Sequence, residues 1–299
     1  MILFKNENTD PYFNLACEEY LLETESDVIM LWRNEPSVII GRNQNAYAEL
    51  NLGYIKTNNI KAVRRLTGGG AVFHDLGNVN FTFITPKSEN VLNFKHYTQP
   101  IINSLSKLGI SAELCGRNDV EVNGLKISGN AQCCRNDKIL HHGTLLFSAD
   151  LTKLAGSLNV DEEKIKSKGI KSVRSRVVNI QELLDREMDV LEFKSFIESC
   201  FDAEVRELPN TNEIQKLADT KYSTWDWNFG KSKEYSFKDK KRYDFGTVEI
   251  NLNVDGGYIT DIKIFGDFFS MNDISELEQS LIGTKFEDLK DIRELLEGN

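Results

Sequence analysis

Potential chemistry in this chain gathers first at Arg64-Arg65-Leu66-Thr67-Gly68-Gly69-Gly70-Ala71-Val72-Phe73-His74-Asp75. Two neighbouring guanidinium groups offer planar forks of donors that suit phosphate or carboxylate. Three consecutive glycines let the backbone reach positive φ and let a ligand lie against the main chain without meeting a Cβ. Together they describe a loop that wraps an anion. A second concentration is Gly116-Arg117-Asn118-Asp119, which leads to Lys126 in Lys126-Ile127-Ser128-Gly129. A lysine fixed by a hairpin suits a charge that must meet a developing anion; the alternative is a solvated strand lysine. Asp119 is either a residue that opens a strand or a ligand for Mg²⁺, which takes one or two carboxylates and completes its shell with substrate oxygens. A third concentration is the basic stretch Lys168 to Val177. No Gly-x-x-x-x-Gly-Lys-Ser/Thr is present, so any nucleotide must be gripped in another way.

The histidines and cysteines narrow the chemistry further. His141 and His142 are adjacent and point to opposite faces of a strand, so one faces a pocket and the other packs outside it. His74-Asp75 lacks an accompanying Gly-x-Ser-x-Gly elbow and reads as a pocket-wall histidine. Cys133 and Cys134 are the candidate nucleophiles, but nothing in the sequence sets an activating base beside either thiol. Trp225-Asp226-Trp227-Asn228-Phe229 is an aromatic cluster suited to packing, with ligand stacking second.

Several elements must position these residues. Asp10-Pro11 reads as a cap with proline in the first turn of a helix through Glu23. Val28–Trp32 and Ser37–Ile40 are predicted to pair across Asn34-Glu35-Pro36. Ile60 to Arg65 feeds the glycine loop, and 71–74 and 79–84 are expected to continue the same sheet. Tyr97 to Leu108 is helical and ends at Gly109. Asn123-Gly124 joins the clearest hairpin, and a second turns at Asn136-Asp137. Helices dominate from Asp150 to Leu217. Eight of the twelve residues from Lys231 to Arg242 are charged, which reads as a linker. Beyond it, Tyr243–Val254 and Tyr258–Phe265 pair across Asp255-Gly256-Gly257, with helices near Asn272–Leu281 and Phe286–Leu296. The fold class is α+β, with mixed, largely antiparallel sheets packed with helices. Residues 1–240 form the larger domain and 241–299 a small α+β appendage.

The bulk properties exclude other classes. A net charge of −10 argues against broad binding to nucleic acid or an anionic membrane surface. The first ten residues lack the basic flank and apolar core of a leader, and no apolar run reaches the roughly 18 residues of a membrane span. Five cysteines without Cys-x-x-Cys spacing fit a cytoplasmic protein better than a disulfide framework.

Taken in order, these strings resemble the lipoate–protein ligases of the biotin and lipoate ligase superfamily. The likeness rests on the Arg64–Asn78 string, Gly116–Asp119, Lys126–Gly129, His141-His142-Gly143-Thr144, Lys168–Val177 and Trp225-x-Trp227-Asn228-Phe229-Gly230. The resemblance implies that lipoate and ATP, with Mg²⁺, form lipoyl-AMP. The acyl group then passes to a carrier lysine, on lipoyl domains of 2-oxoacid dehydrogenase complexes or a glycine-cleavage H protein. It implies that Lys126 is catalytic. Arg65, Gly70, Ala71, Val72, Phe73 and Lys126 bind ATP and lipoyl-AMP, and Trp32, His74 and His141 wall the lipoate pocket. Gly169, Ser172, Val173 and Arg174 belong to a loop that closes on the adenylate. The rival within the superfamily is a carrier-to-carrier octanoyl or lipoyl transferase using a cysteine thioester, on Cys133 or Cys134.

Overall fold

Asp10 opens the first helix, α1 (Pro11–Thr24), by accepting the amides of Tyr12 and Phe13 at 2.7 and 3.3 Å. Proline in the first turn loses no helical hydrogen bond, since that amide has no partner there. In the computed structural model, which describes residues 1–87, 93–159, 176–230, 236–270 and 273–286, this helix packs on an eight-stranded sheet. Numbered along the chain, the spatial order is β11 (Glu204–Glu207), β1 (Ile2–Lys5), β2 (Val28–Trp32), β6 (Asn78–Pro86), β10 (Lys138–Leu146), β9 (Leu125–Arg135), β8 (Asp119–Val122) and β7 (Glu113–Cys115). β1 runs parallel to both neighbours, and the remaining pairs are antiparallel.

Strand alternation splits β6 between two cores. Val79, Phe81 and Phe83 pack under Ile101, Leu105, Phe193 and Ile197, from the helices Phe94–Ser106 and Val190–Ser199. The other face carries Asn80, Thr82 and Ile84 toward α1 and a second, small sheet. That sheet is β4 (Lys61–Arg64), β3 (Ser37–Ile40) and β5 (Val72–His74), in that order. Met30, Trp32 and Leu140 from the large sheet meet Ile39 and Val63 from the small one in a single cluster with α1. A third sheet, β12 (Phe237–Tyr243), β13 (Gly246–Asp255) and β14 (Tyr258–Gly266), buries its apolar face against the helix Ile274–Leu281.

Both predicted hairpins form. Asn123 and Gly124 have φ of 52° and 77°, and Asn136 and Asp137 have 51° and 54°, the paired positive angles of a tight turn. Four expectations change. β2 and β3 belong to different sheets, as do β5 and β6, because an apolar run reports burial and not the strand it pairs with. Glu204–Glu207, placed within a helical region, is a short exposed strand parallel to β1. The charged stretch read as a linker contains β12, an edge strand whose exposed lysines oppose further pairing. The second expected C-terminal helix lies outside the described residues beyond Phe286, as does nearly all of 168–177.

Candidate functional site

Between the two N-terminal sheets lies a cavity of about 180 Å³, lined by Trp32, Arg65, Gly69, Gly70, Ala71, Val72, His74, Asn80, Lys126, Asn130, His142 and Phe269 among others. Segments far apart in the chain therefore share one enclosure.

Lys126 sits two residues beyond the Asn123-Gly124 turn on β9. Its Nζ pairs with Asp119 Oδ1 at 2.7 Å, across the β8–β9 ladder. The stem lies over Gly129, where an added Cβ would stand 3.0 Å from Nζ and 3.2 Å from Cε. Glycine three residues on is thus the space into which the lysine folds. Its main chain is fixed as well: Lys126 N–H donates to Arg176 C=O at 2.6 Å, and its C=O accepts from Val178 N–H at 3.1 Å. The end of the basic stretch is sewn to this lysine. Gly169, Ser172, Val173 and Arg174 lie outside the described residues.

The two arginines divide their work. Arg64 is fully buried and faces away from the cavity. Its guanidinium donates to the carbonyls of Gly41, Gln44, Trp227 and Asn228 at 2.9, 2.6, 3.1 and 2.7 Å. The Trp225–Gly230 string is thereby pinned to β4, and Asn228 Oδ1 accepts the Arg64 amide at 2.7 Å. Arg65 lines the cavity, but its donors hold its own loop: Gly68 C=O at 2.6 Å, Gly70 C=O at 2.8 Å and Ile39 C=O at 3.1 Å. Burial pushes both guanidinium groups down, to about 10. Arg65 therefore shapes the glycine loop and supplies charge, rather than reaching out as an extended side chain. Gly69 needs its positive φ of 89°, and an added Cβ there would meet Arg65 Nη2 at 2.9 Å.

A buried polar relay joins this loop to the cavity floor. Arg65 Nε–H donates to Thr67 Oγ1 at 2.9 Å, and Thr67 Oγ1 lies 2.7 Å from His142 Nε2. His142 Nδ1 lies 2.9 Å from Glu18 Oε1. From the other side, Trp32 Nε1–H donates to Thr82 Oγ1 at 2.8 Å, and Thr82 donates to Glu18 Oε1 at 2.6 Å. Arg65 and Trp32 can only donate. Thr82 therefore donates onward to Glu18, and the Glu18 carboxylate can only accept, so it takes the His142 Nδ1–H.

The predicted site residues divide on this geometry. Arg65, Gly70, Ala71, Val72, Lys126, Trp32 and His74 all line the cavity. Phe73 does not: alternation turns its ring into the cluster of Val38, Ile40 and Ala46, which leaves only its main chain near the loop. His141 is corrected in the same way. It faces the other core, stacked on Tyr97 at 4.8 Å, and burial holds its ring well below the usual imidazole range. Of the adjacent pair, His142 is the one that lines the cavity. Asp119 is committed to Lys126, and no cluster of three or more His, Cys, Asp or Glu side chains is gathered among the described residues. One carboxylate fits only a magnesium ion that brings most of its ligands with a nucleotide. Cys133 and Cys134 line a separate cavity with Arg42, Arg135 and Lys221, and burial pushes the Cys133 thiol up to about 12. That is the reverse of an activated nucleophile.

Sequence reasoning missed Glu18, Thr82, Asn80 and Phe269. Glu18 left a signal, since it falls on the apolar stripe of α1 three residues after Leu15 and four before Leu22. Asn80 and Thr82 looked like the solvent side of an alternating strand. Phe269 left none: it arrives from the third sheet, stacks under the Arg117 guanidinium at 4.6 Å, and brings the Phe268 carbonyl to the Gly69 amide at 3.2 Å.

A glycine loop and a framed lysine thus face one cavity between the two N-terminal sheets. Residues 10–202 match the family model described as the lipoyl protein ligase A/B catalytic domain, and 232–299 match the bacterial lipoate protein ligase C-terminus. Lipoate-protein ligase LplJ of Bacillus subtilis is 44% identical, over 100% of this chain and 94% of its own. Among solved structures, P. falciparum LipL1 in complex with lipoate has a TM-score of 0.79 at 31% identity, over 99% of this chain and 97% of its own. A bipartite lipoate protein ligase studied with its E2 lipoyl domain, from Thermoplasma acidophilum, has a TM-score of 0.69 at 31% identity, over 79% and 98%. A lipoate-protein ligase A bound with ATP has 0.66 at 29% identity, over 76% and 98%. The chain belongs to the lipoate–protein ligases, a family of enzymes.

Proposed function

We propose that this cavity activates lipoate with ATP and that the chain then transfers the lipoyl group to a lysine of an apo lipoyl-carrier protein. The observation that carries this reading is Lys126, framed by Asp119 and Gly129 at a cavity that also holds the glycine loop. In the first step a carboxylate oxygen of lipoate bonds to the α-phosphorus, and the bond to the β-phosphate oxygen breaks, releasing pyrophosphate. Two anions meet in that transition state, so fixed positive charge from Lys126 and Arg65 stabilises it. In the second step a neutral carrier amine attacks the acyl carbonyl, AMP leaves, and the amine loses its proton. The nucleophile belongs to the carrier, so the enzyme needs no thiolate. Gly70, Ala71, Val72 and the main chain of Phe73 are the proposed nucleotide contacts, with Mg²⁺ arriving on ATP beside Asp119. Gly169, Ser172, Val173 and Arg174 are proposed to cover the adenylate.

The carriers proposed are lipoyl domains of 2-oxoacid dehydrogenase complexes and the glycine-cleavage H protein, in the cytoplasm. The boundary expected between 240 and 241 falls inside β12, which belongs to the third sheet, so we propose that the catalytic region ends before Phe237 and the accessory region starts there. The decisive experiment incubates the enzyme with lipoate, ATP and Mg²⁺ and follows pyrophosphate, then weighs apo carriers after their addition. Lipoate-dependent pyrophosphate release and a lipoyl mass increment are expected. Transfer without ATP, lost in Cys133→Ser/Cys134→Ser, would replace the ligase reading with the thioester one.

A further inference from the structure

Among the described residues, two buried polar atoms on the cavity lining have no partner, His74 Nε2 and Asn80 Nδ2. What His74 offers is decided by the amides behind it. Asn14 Nδ2 donates to the main-chain carbonyls of Asn8 and Arg33, both at 2.9 Å, which fixes the nitrogen end of that side chain. The same nitrogen lies 2.9 Å from Asn34 Oδ1; a second amide nitrogen there would set donor against donor, so Asn34 turns its oxygen to Asn14 and presents Nδ2 to His74 Nδ1, 3.1 Å away. An amide nitrogen only donates. Nδ1 is therefore the acceptor, and the ring proton sits on Nε2. Asn6, whose Oδ1 accepts the Asn8 amide at 3.0 Å, donates to Asn14 Oδ1 at 2.9 Å and completes a one-way row. All three asparagines are buried. Burial, with His142 and Arg65 nearby, pushes the His74 ring down to about 3, so it stays neutral.

The sheet fixes where this donor stands. Gly129 N–H donates to Thr144 Oγ1 at 3.1 Å, Thr144 lies opposite Asn80, and Asn80 lies opposite Trp32. With about 4.8 Å between strands, Asn80 is about 10 Å and Trp32 about 14 Å across the sheet from the strand of Lys126. The His74 ring meets Trp32 edge to face at 6.1 Å. An acyl chain whose carboxyl lies at Lys126 reaches this row with its far end. In lipoate that end carries two ring sulfurs, which are weak acceptors, and in octanoate it carries only a methyl group.

We propose that His74 and Asn80 donate hydrogen bonds to the dithiolane sulfurs, and that Asn34, backed by Asn14 and Asn6, is a positioning residue that keeps His74 a donor. The inference rests on the reading that the cavity activates lipoate. Its consequence is a preference for a dithiolane-bearing chain over a plain saturated one.

Asn34→Asp tests it by reversing one hydrogen bond. The carboxylate accepts, Nδ1 must carry the proton, and Nε2 then presents a lone pair to sulfur. In the wild type the ratio of kcat/KM for lipoate to that for octanoate is expected to stay flat with pH. In Asn34→Asp it is expected to fall about fivefold at alkaline pH, the worth of one modest hydrogen bond. It should recover in acid, where the imidazolium regains its Nε2–H. An unchanged ratio at every pH overturns the inference. So does an equal loss for both acids, which would place the donors at the carboxyl. Histidine ¹⁵N NMR of the wild type decides independently of the variant's folding. A protonated His74 Nε2 that shifts with lipoate and not with octanoate supports the assignment; the other tautomer, or equal shifts, overturns it. Wild-type enzyme that releases no pyrophosphate with lipoate would instead overturn the underlying reading, a result distinct from each of these.

Discussion

Lys126 and Gly129 show how one residue is made useful by the space left at another. Lys126→Ala is expected to lower lipoyl-AMP formation by about 10²- to 10³-fold with an unchanged circular dichroism spectrum, as for removal of a positioned oxyanion donor. Normal adenylate formation by that variant would remove the lysine from the chemistry. Gly129→Ala makes a sharper comparison. Its new Cβ would displace the flexible end of Lys126 and not the backbone, so kcat should fall by about tenfold or more while Tm hardly moves. Arg65 behaves differently. Removing its guanidinium leaves loop carbonyls without donors, so Arg65→Ala should cost about 3 kcal/mol in urea unfolding as well as nucleotide affinity. Lysine cannot rescue it, since an ammonium lacks the fork that spans three carbonyls.

At the scale of elements, α1 is both a wall of the cavity and a clamp. Its Glu19 accepts from Arg135 on β9, Lys221 and the Tyr222 hydroxyl, at 2.7, 2.7 and 2.9 Å. Burial raises its pKa, but these cationic and hydroxyl donors outweigh burial and leave it lowered. A carboxylate with a depressed folded pKa adds stability above its unfolded value, near 4.3, and loses it as pH falls through the folded value. His74 and His141 are buried neutral, so their contribution declines earlier, as pH drops below about 6.5 and the unfolded rings take up protons. Acid should therefore weaken the fold in two stages, and Glu19→Gln should flatten only the lower one in urea titrations across pH. Much of this layer was legible in the sequence. Asp10-Pro11 and Asn123-Gly124 announce a cap and a turn through local chemistry alone. Sheet membership was not, because the partners of Val28–Trp32 and Ser37–Ile40 are chosen by distant segments. Adjacent histidines revealed that one would face the cavity, but the parity that selects His142 depends on which face α1 covers.

Across the whole molecule, Arg64 does what no local element can. Its side chain gathers carbonyls from residues 41–44 and 227–228, while Asn228 accepts from the Arg64 amide and donates to the carbonyls of Tyr222 and Thr224. Asn228→Ala should cost about 2–3 kcal/mol in equilibrium unfolding, because it strands buried main-chain groups behind the cavity lining, to which Asn228 does not belong. Activity per folded molecule should be retained, which a direct ligand-binding role for that asparagine would not allow.

These long-range ties also bear on how the chain is made. Strand β1 takes Glu204–Glu207 as one of its two neighbours, and Arg64, which meets Gly41 and Gln44 early, gains its Nε and Nη2 acceptors only from Trp227 and Asn228. During synthesis, the chain through Glu207 must leave the ribosome before β1 has both neighbours, and through Asn228 before all of the arginine's donors are satisfied. Until then the nascent chain carries an open sheet edge and an arginine with part of its donors unmet, the kind of exposure that invites aggregation and chaperone capture.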